Sequence, residues 1–257
     1  MSSLVLNRIV HPGPDDTLPL IICHGLFGSA RNWGAIAKRL SAERTVVAVD
    51  MRNHGDTGSA RPHDYPHMAE DIADVVADLG GRADVLGHSM GGKAVMTLAL
   101  SRPDLVNRAI VADIAPVAYR HSHQSHIDVM RTLDLTGITR RSQADARLAQ
   151  TLDDPALRAF FLQSLDLTDG PRWKLDLDAL EEGMDATVGW PSPPGRFDGP
   201  ALFVAGGNSD YLLPQHHDAI RAQFGDATFL TIPGAGHWLH AEQPRAFVDA
   251  VSAFLTD

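Results

Sequence analysis

The chain has 257 residues, an apolar content of 44% and a formal net charge of −10 at neutral pH. This length and composition suit one large globular domain and exclude a disordered or fibrous protein. The acidic excess disfavours nucleic acid or an anionic membrane as a partner. The single cysteine, Cys23, excludes an intrachain disulfide and a cysteine-based zinc site, so we expect a cytoplasmic protein. The first residues show no export signal, and no run of about 18 apolar residues predicts a membrane span.

Short apolar runs alternate with segments of helical period, a pattern typical of β-α-β units on a parallel sheet. The predicted strands cover 18–23, 45–49, 83–86, 109–112, 201–205 and 228–232, and an edge strand is expected at 4–9. Helices are predicted at 29–40, 66–79, 90–101, 214–224 and 243–255. The sequence therefore predicts an α/β fold, with a mostly parallel sheet flanked by helices.

The alternation stops between 117 and 199, where helical periods recur at 127–133, 143–152, 155–165 and 177–184 without a strand-like run. This segment ends in the stiff run Pro191-Ser192-Pro193-Pro194-Gly195. We therefore interpret residues 117–199 as an inserted helical cap on a core made of residues 1–116 and 200–257.

One motif carries the chemistry. Gly87-His88-Ser89-Met90-Gly91 fits G-x-S-x-G, and it lies between a predicted strand and a predicted helix. Glycines on both sides permit a sharp turn that exposes the Ser89 hydroxyl at a helix N-terminus. This context favours a nucleophilic serine over a simple capping serine.

A serine hydroxyl needs a general base to act as a nucleophile. After a G-x-S-x-G turn, the acid and then the histidine base are expected further along the chain. His237 follows the last predicted strand in the glycine-rich loop Gly234-Ala235-Gly236-His237-Trp238. Such a loop can bend the imidazole back across the strand ends. His237 is therefore the predicted base.

Two aspartates that end strands between Ser89 and His237 are candidates for the acid that orients the imidazole. Asp113 follows the strand at 109–112, and Asp210 follows Ser209 after the strand at 201–205. Either can accept a hydrogen bond from an imidazole, and either can instead cap a loop. The residues alone leave both open.

The loop His24-Gly25-Leu26-Phe27-Gly28-Ser29 follows a strand and supplies a second predicted element of the site. Its glycines can aim the backbone N–H of Leu26 at the same point as that of Met90, giving two donors for an oxyanion. Phe27, Trp173 and Trp238 are expected to line the substrate pocket, because such pockets are mostly apolar and aromatic.

We expect no cofactor and no metal. The chain has no G-x-G-x-x-G after a strand and no phosphate-binding G-x-x-x-x-G-K-[ST] motif. His121, His123 and His126 open the predicted cap, but they lack a fourth ligand at a usual spacing, so we expect solvated loop histidines.

Taken together, these motifs resemble the α/β-hydrolase superfamily, and in particular the small YbfF-type esterases related to abhydrolase-domain-11 proteins. The resemblance runs through nearly the whole chain and rests on five stretches: His24–Ser29, Asp50–Ser59, the Ser89 motif with Gly92, Asp113–Pro116 and Gly236–Glu242.

This resemblance implies a Ser89–His237 pair with the oxyanion held by the amides of Leu26 and Met90. It also implies that Asp113 is the acid, assisted by a serine at the position of Ser209, whereas most of the superfamily carries the acid after the strand at 201–205. This chain differs from the branch in carrying Asp210 directly after Ser209.

The predicted function is hydrolysis of a small-molecule acyl ester through an acyl-enzyme on Ser89. An acyl-CoA thioesterase differs only in the leaving group, and a non-catalytic ligand receptor or scaffold on the same fold is an alternative of another class. The sequence predicts neither the natural substrate and its acyl length nor the oligomeric state.

Overall fold

The computed structural model describes residues 4–14, 16–120 and 122–256. Its strands in chain order are β1 (Arg8–His11), β2 (Leu20–Cys23), β3 (Val46–Val49), β4 (Ala83–His88), β5 (Val106–Ala112), β6 (Leu165–Asp166), β7 (Arg172–Trp173), β8 (Phe197–Gly206) and β9 (Phe224–Ile232). Seven of them form one sheet in the order β1-β3-β2-β4-β5-β8-β9, while β6 and β7 form a separate hairpin.

The helices lie in the connections between the strands of this sheet, in the segment between β5 and β8, and after β9. In chain order they are α1 (Gly34–Leu40), α2 (Tyr65–Asp78), α3 (Met90–Ser101), α4 (Gln124–Thr132), α5 (Arg141–Leu148), α6 (Pro155–Gln163), α7 (Leu177–Glu182), α8 (Met184–Val188), α9 (His217–Gln223), α10 (Leu239–Glu242) and α11 (Pro244–Thr256). Among the described residues, no helix is long and apolar enough to cross a membrane.

The predicted α/β fold with a mostly parallel sheet is confirmed. β2, β3, β4, β5, β8 and β9 run parallel, and β1 pairs antiparallel with β3 at the edge. The edge strand covers Arg8–His11 rather than the expected range 4–9, because its pairing with β3 begins where Arg8 lies opposite Val49.

Both faces of the sheet are buried under helices. Along β2, Ile21 and Cys23 pack in the core beneath α2 and α3, whereas Leu20 and Ile22 pack beneath α1 and α11. All four side chains are fully buried. Strands covered on both faces need continuous apolar runs, which explains why apolar and polar residues do not alternate along β2.

The segment between β5 and β8 carries helices α4 to α8, as the helical periods predict. It also contains the β6–β7 hairpin, in which Leu165 lies opposite Trp173. The expectation of no strand in this segment was wrong, because strands of two residues are too short to show an alternation of apolar and polar residues in the sequence. Strand β8 begins at Phe197, before the predicted boundary at 200.

A buried lysine ties this segment to the core. Lys93 in α3 is 1% exposed, and its Nζ donates to the carbonyls of Val188 and Gly189 at 3.0 and 2.5 Å. Burial lowers the pKa of Lys93 to about 7. The last carbonyls of α8 are thus held by a group that projects from the helix that follows Ser89.

The turn between β4 and α3 is possible only because glycines flank it. Ser89 has φ 53° and ψ −119°, in the left-handed half of backbone space. A Cβ at Gly87 would lie 2.2 Å from the carbonyl oxygen of Gly91, and one at Gly91 would lie 2.3 Å from that of Cys23. Backbone atoms cannot move away from such contacts, so α3 packs against β2 and β4 at a distance that excludes any side chain.

We predict that Gly91→Ala lowers the free energy of unfolding by about 3 kcal/mol, because its methyl group would overlap the Cys23 carbonyl. Gly34→Ala is the matched control. Gly34 has helical angles, and a Cβ added there would meet nothing within 4 Å, so alanine should stabilise α1 by roughly 0.5–1 kcal/mol. Urea unfolding measures both changes, and similar values for the two variants would contradict the close packing.

Candidate active site

Three side chains meet at the carboxyl ends of the strands. Ser89 follows β4, Asp113 follows β5, and His237 lies in the loop after β9. The Nε2 of His237 lies 3.1 Å from the Oγ of Ser89, and its Nδ1 lies 2.8 Å from the Oδ2 of Asp113. These distances join a hydroxyl, an imidazole and a carboxylate in one hydrogen-bonded chain.

The carboxylate of Asp113 is completely buried, and its two oxygens accept hydrogen bonds from the last residue of β8 and from the loop that follows it. Oδ1 accepts from the Gly206 N–H at 3.0 Å, and Oδ2 accepts from the Ser209 hydroxyl as well as facing His237. The Asp113 backbone has φ 52°, and its N–H donates to the Val204 carbonyl at 2.8 Å. These bonds compensate the desolvation of the charge and fix its direction.

Of the two predicted aspartates, the structure therefore brings Asp113 to His237. Asp210 is exposed on the surface, one residue beyond Ser209. It is the Ser209 side chain that turns inward toward Asp113, as the resemblance implied for a serine at this position. The sequence alone could not choose between the aspartates, because both end strands on the same edge of the sheet.

Two aromatic rings that the sequence did not predict hold the imidazole of His237. Tyr211 stacks on it with ring centroids 4.0 Å apart and an angle of 21°. His88 lies on another side, and its Nε2–H donates to the His237 carbonyl at 2.8 Å. Burial and the neighbouring imidazole of His237 lower the pKa of His88 well below its usual value. His88 is therefore neutral and restrains the loop that carries His237.

The loop with the predicted oxyanion donor Leu26 lies directly against the nucleophile. A Cβ built on Gly25 would be 3.2 Å from the Cβ of Ser89. Leu26 and Met90 line the same small pocket beside Ser89. Met90 is the first residue of α3, where backbone N–H groups have no partner inside the helix. The structure thus brings both predicted donor residues next to Ser89.

A cavity of about 230 Å³ opens beside Ser89 and His237. Phe27 and Trp238 lie in its wall, as expected. Trp33, which is almost fully buried, also lies in this wall. Helix α6 contributes a further apolar wall made of Leu157, Phe160 and Phe161. The sequence could not assign these three residues to the cavity wall, because a helix that covers a core and a helix that covers a ligand have the same apolar pattern.

Trp173, the third residue expected in the pocket wall, lies elsewhere. It belongs to β7, packs among apolar side chains of the segment between β5 and β8, and its Nε1–H donates to the Met130 carbonyl at 2.8 Å. This expectation was wrong, because the indole N–H and ring of Trp173 join the hairpin to α4 within that segment.

The cap histidines also differ from the expectation of solvated loop residues. His123 and His126 are half-buried and line the cavity, and their ring centroids lie 6.4 and 6.2 Å from that of Phe27. His121 lies outside the described residues. Within the described part of the chain, no group of three or more His, Cys, Asp or Glu residues is arranged to hold a metal ion.

Comparison with known proteins identifies this fold as that of a hydrolase family. Residues 20–250 match the model of the alpha/beta hydrolase family. The chain is 40% identical to mouse sn-1-specific diacylglycerol lipase ABHD11 over 252 residues, which is 94% of this chain and 82% of the relative. It is 38% identical to esterase YbfF of Escherichia coli K12 over 241 residues, 93% of each chain.

A solved structure described as a marine microorganism esterase superposes with a TM-score of 0.92 and is 36% identical, covering 98% of this chain and 100% of its own. The chain therefore belongs to the alpha/beta hydrolase family, and the resemblance to the YbfF and ABHD11 branch is confirmed.

Several histidines near the site are buried and neutral, which makes stability depend on pH. Burial lowers the pKa of His63 to about 4 and that of His240 to about 3. His240 stacks on Trp33 with centroids 4.2 Å apart, and its Nδ1 is buried without a hydrogen-bond partner among the described residues. Each lowered pKa means that the unfolded chain binds a proton more readily than the folded one below about pH 6.5.

The free energy of unfolding should therefore fall as the pH drops from about 6.5, by up to about 1.4 kcal/mol per pH unit for each such histidine. We predict that, as the pH falls from 7 to 5, the free energy of unfolding of His240→Phe rises by about 2 kcal/mol relative to that of the unmodified protein. The reason is that the variant has no imidazole to protonate at this position. Phe247→Leu, in the same ring cluster, should change stability by an amount that does not depend on pH. Urea unfolding at each pH measures this, and a constant difference for His240→Phe would contradict the prediction.

Proposed function

We propose that Ser89, His237 and Asp113 form the catalytic triad of this protein, which is a carboxylic ester hydrolase. The observation that carries the proposal is the continuous hydrogen-bonded chain from Ser89 Oγ through both imidazole nitrogens of His237 to Asp113 Oδ2. Similarity over more than nine-tenths of the chain to proteins named as an esterase and a diacylglycerol lipase supports the same reaction.

In the proposed acylation step, His237 Nε2 takes the proton from Ser89 as its Oγ attacks the ester carbonyl. Asp113 accepts from the Nδ1–H of His237, which keeps Nε2 free as the base and stabilises the imidazolium that forms. The imidazolium then protonates the departing alcohol. A water molecule, activated in the same way, hydrolyses the acyl-enzyme and regenerates Ser89.

The negative charge on the carbonyl oxygen in the tetrahedral intermediate needs donors that are already in place. We assign this role to the backbone N–H groups of Leu26 and Met90, which belong to the two segments that meet at Ser89. We assign the apolar cavity, with Phe27 and Trp238 in its wall, to the acyl chain of a small-molecule ester. Residues 117–199 act as a cap, which closes this cavity with α6.

We predict that Ser89→Ala lowers kcat for a p-nitrophenyl ester by roughly 10³- to 10⁶-fold without loss of the fold, because only the nucleophile is removed. A fluorophosphonate probe should add its mass to the unmodified protein at Ser89 and not to the variant. Intact-mass measurement checks this. Undiminished turnover by Ser89→Ala would refute the triad, and a protein that neither labels nor turns over any ester would be a receptor rather than an enzyme.

The acid is tested by two amide substitutions. Asp113→Asn should lower kcat by up to about 10⁴-fold, because the amide no longer stabilises the imidazolium or the correct tautomer. Asp210→Asn is the matched control and should change kcat less than about twofold, because its carboxylate is exposed. Ser209→Ala should have an intermediate effect through one lost hydrogen bond to a charged group. The reverse order of the two aspartates in steady-state kinetics would move the acid to Asp210.

A further inference from the structure

We propose that two buried histidines, His24 and His54, are positioning residues that fix the peptide groups on either side of Leu26, so that its N–H is held toward the reacting oxygen. The inference rests on the proposed role of Leu26 as an oxyanion donor. The two histidines are the means by which the loop keeps the Leu26 N–H in place before a substrate binds.

The first peptide group is the one that joins Gly25 to Leu26. The carbonyl oxygen of Gly25 accepts from the Gly28 N–H at 3.0 Å and lies 2.8 Å from the Nδ1 of His24. A trans peptide is planar, with its C=O and N–H pointing in opposite directions. Two donors on the Gly25 oxygen therefore direct the Leu26 N–H away from the interior of the loop.

The hydrogen bonds of His24 determine which of its nitrogens carries the proton. Its Nε2 lies 3.0 Å from the backbone nitrogen of Met51, which can only donate, so Nε2 is an acceptor. The proton is consequently on Nδ1, where it is donated to Gly25. His24 is 1% exposed, and burial lowers its pKa, which is consistent with a neutral ring that uses both nitrogens.

The second peptide group joins Leu26 to Phe27, and His54 holds it. The Phe27 N–H donates to the Nε2 of His54 at 3.1 Å, while the Nδ1–H of His54 donates to the Arg52 carbonyl at 2.8 Å. His54 is completely buried. Phe27 has φ 64°, which a residue with a side chain rarely adopts, so this bond stabilises a strained backbone.

The cap completes the restraint. The carbonyl of Phe27 accepts from the hydroxyl of the buried Ser164 at 2.9 Å, so Phe27 is held from the core on one side and from the cap on the other. At Gly25 the same loop lies so close to Ser89 that a Cβ built on this glycine would be 3.2 Å from the Ser89 Cβ. A rotation of either peptide plane would therefore move the Leu26 N–H, which lies beside Ser89.

The test compares two substitutions of His54 in the full chain. Gln can place its Oε1 where the Nε2 of His54 accepts from Phe27, whereas Phe fills the volume without an acceptor. We expect His54→Phe to lower kcat by about 10- to 100-fold with KM nearly unchanged, because an oxyanion donor acts in the transition state. His54→Gln should recover kcat to within about fivefold of the unmodified protein.

A second readout responds to the oxyanion rather than to the fold. A trifluoromethyl ketone adds to the serine and presents its oxyanion to the same donors, so its inhibition constant should rise in proportion to the loss of kcat/KM. His24→Asn and His24→Leu give an independent pair, because Asn retains a donor for the Gly25 carbonyl and Leu does not. This pair decides the question if His54→Phe does not fold.

His63→Phe is the matched control. His63 is a buried neighbour of His54, with ring centroids 5.9 Å apart, but its Nδ1 accepts from Asn53 and not from the loop. It should change kcat less than about threefold. Equal losses in His54→Phe, His54→Gln and His63→Phe, or an inhibition constant that does not follow kcat/KM, would overturn the positioning role. Full activity of Ser89→Ala would instead refute the proposed function itself.

Discussion

Ser89 occupies a left-handed backbone conformation, which costs an ordinary residue roughly 1–3 kcal/mol. The strain is balanced by the close contact of α3 with β2 and β4, which the hydrogen atoms of Gly87 and Gly91 make possible. The conformation lifts the Ser89 hydroxyl out of the sheet toward the loop after β9. It also leaves the Met90 N–H at the free end of α3. This one turn therefore sets the positions of both the Ser89 hydroxyl and the Met90 N–H.

A second constraint is the burial of the Asp113 charge. A carboxylate with no exposure would be unstable without donors, and the strand order supplies them, because β5 and β8 are neighbours. The N–H of Gly206 and the hydroxyl of Ser209 come from the end of β8, while the imidazole comes from the loop beyond β9. The Asp113 carboxylate is thus held by the same strand ends that the parallel sheet brings together.

Local pattern was enough to predict the fold and the position of Ser89, because an apolar strand, a G-x-S-x-G turn and a helix are encoded within about 20 neighbouring residues. Asp113 and Asp210 could not be separated, since the choice depends on which side chain turns inward after its strand. Trp173 was misplaced for a similar reason, because its sequence gives its aromatic character but not its partner. The proposed roles of His24 and His54 left no local signal, because each ring bonds a backbone group 27 positions away in the chain, at Met51 for His24 and at Phe27 for His54.

The contact between Ser209 and Asp113 has a consequence for how such sites change over time. Side chains at positions 113 and 209 approach each other from adjacent strands, and one of them faces His237 Nδ1. If a mutation places a carboxylate at 209, the chain passes through a form that carries acids on both strands before either is lost. The fold can therefore carry the carboxylate that faces His237 on either of two adjacent strands without any movement of Ser89 or His237.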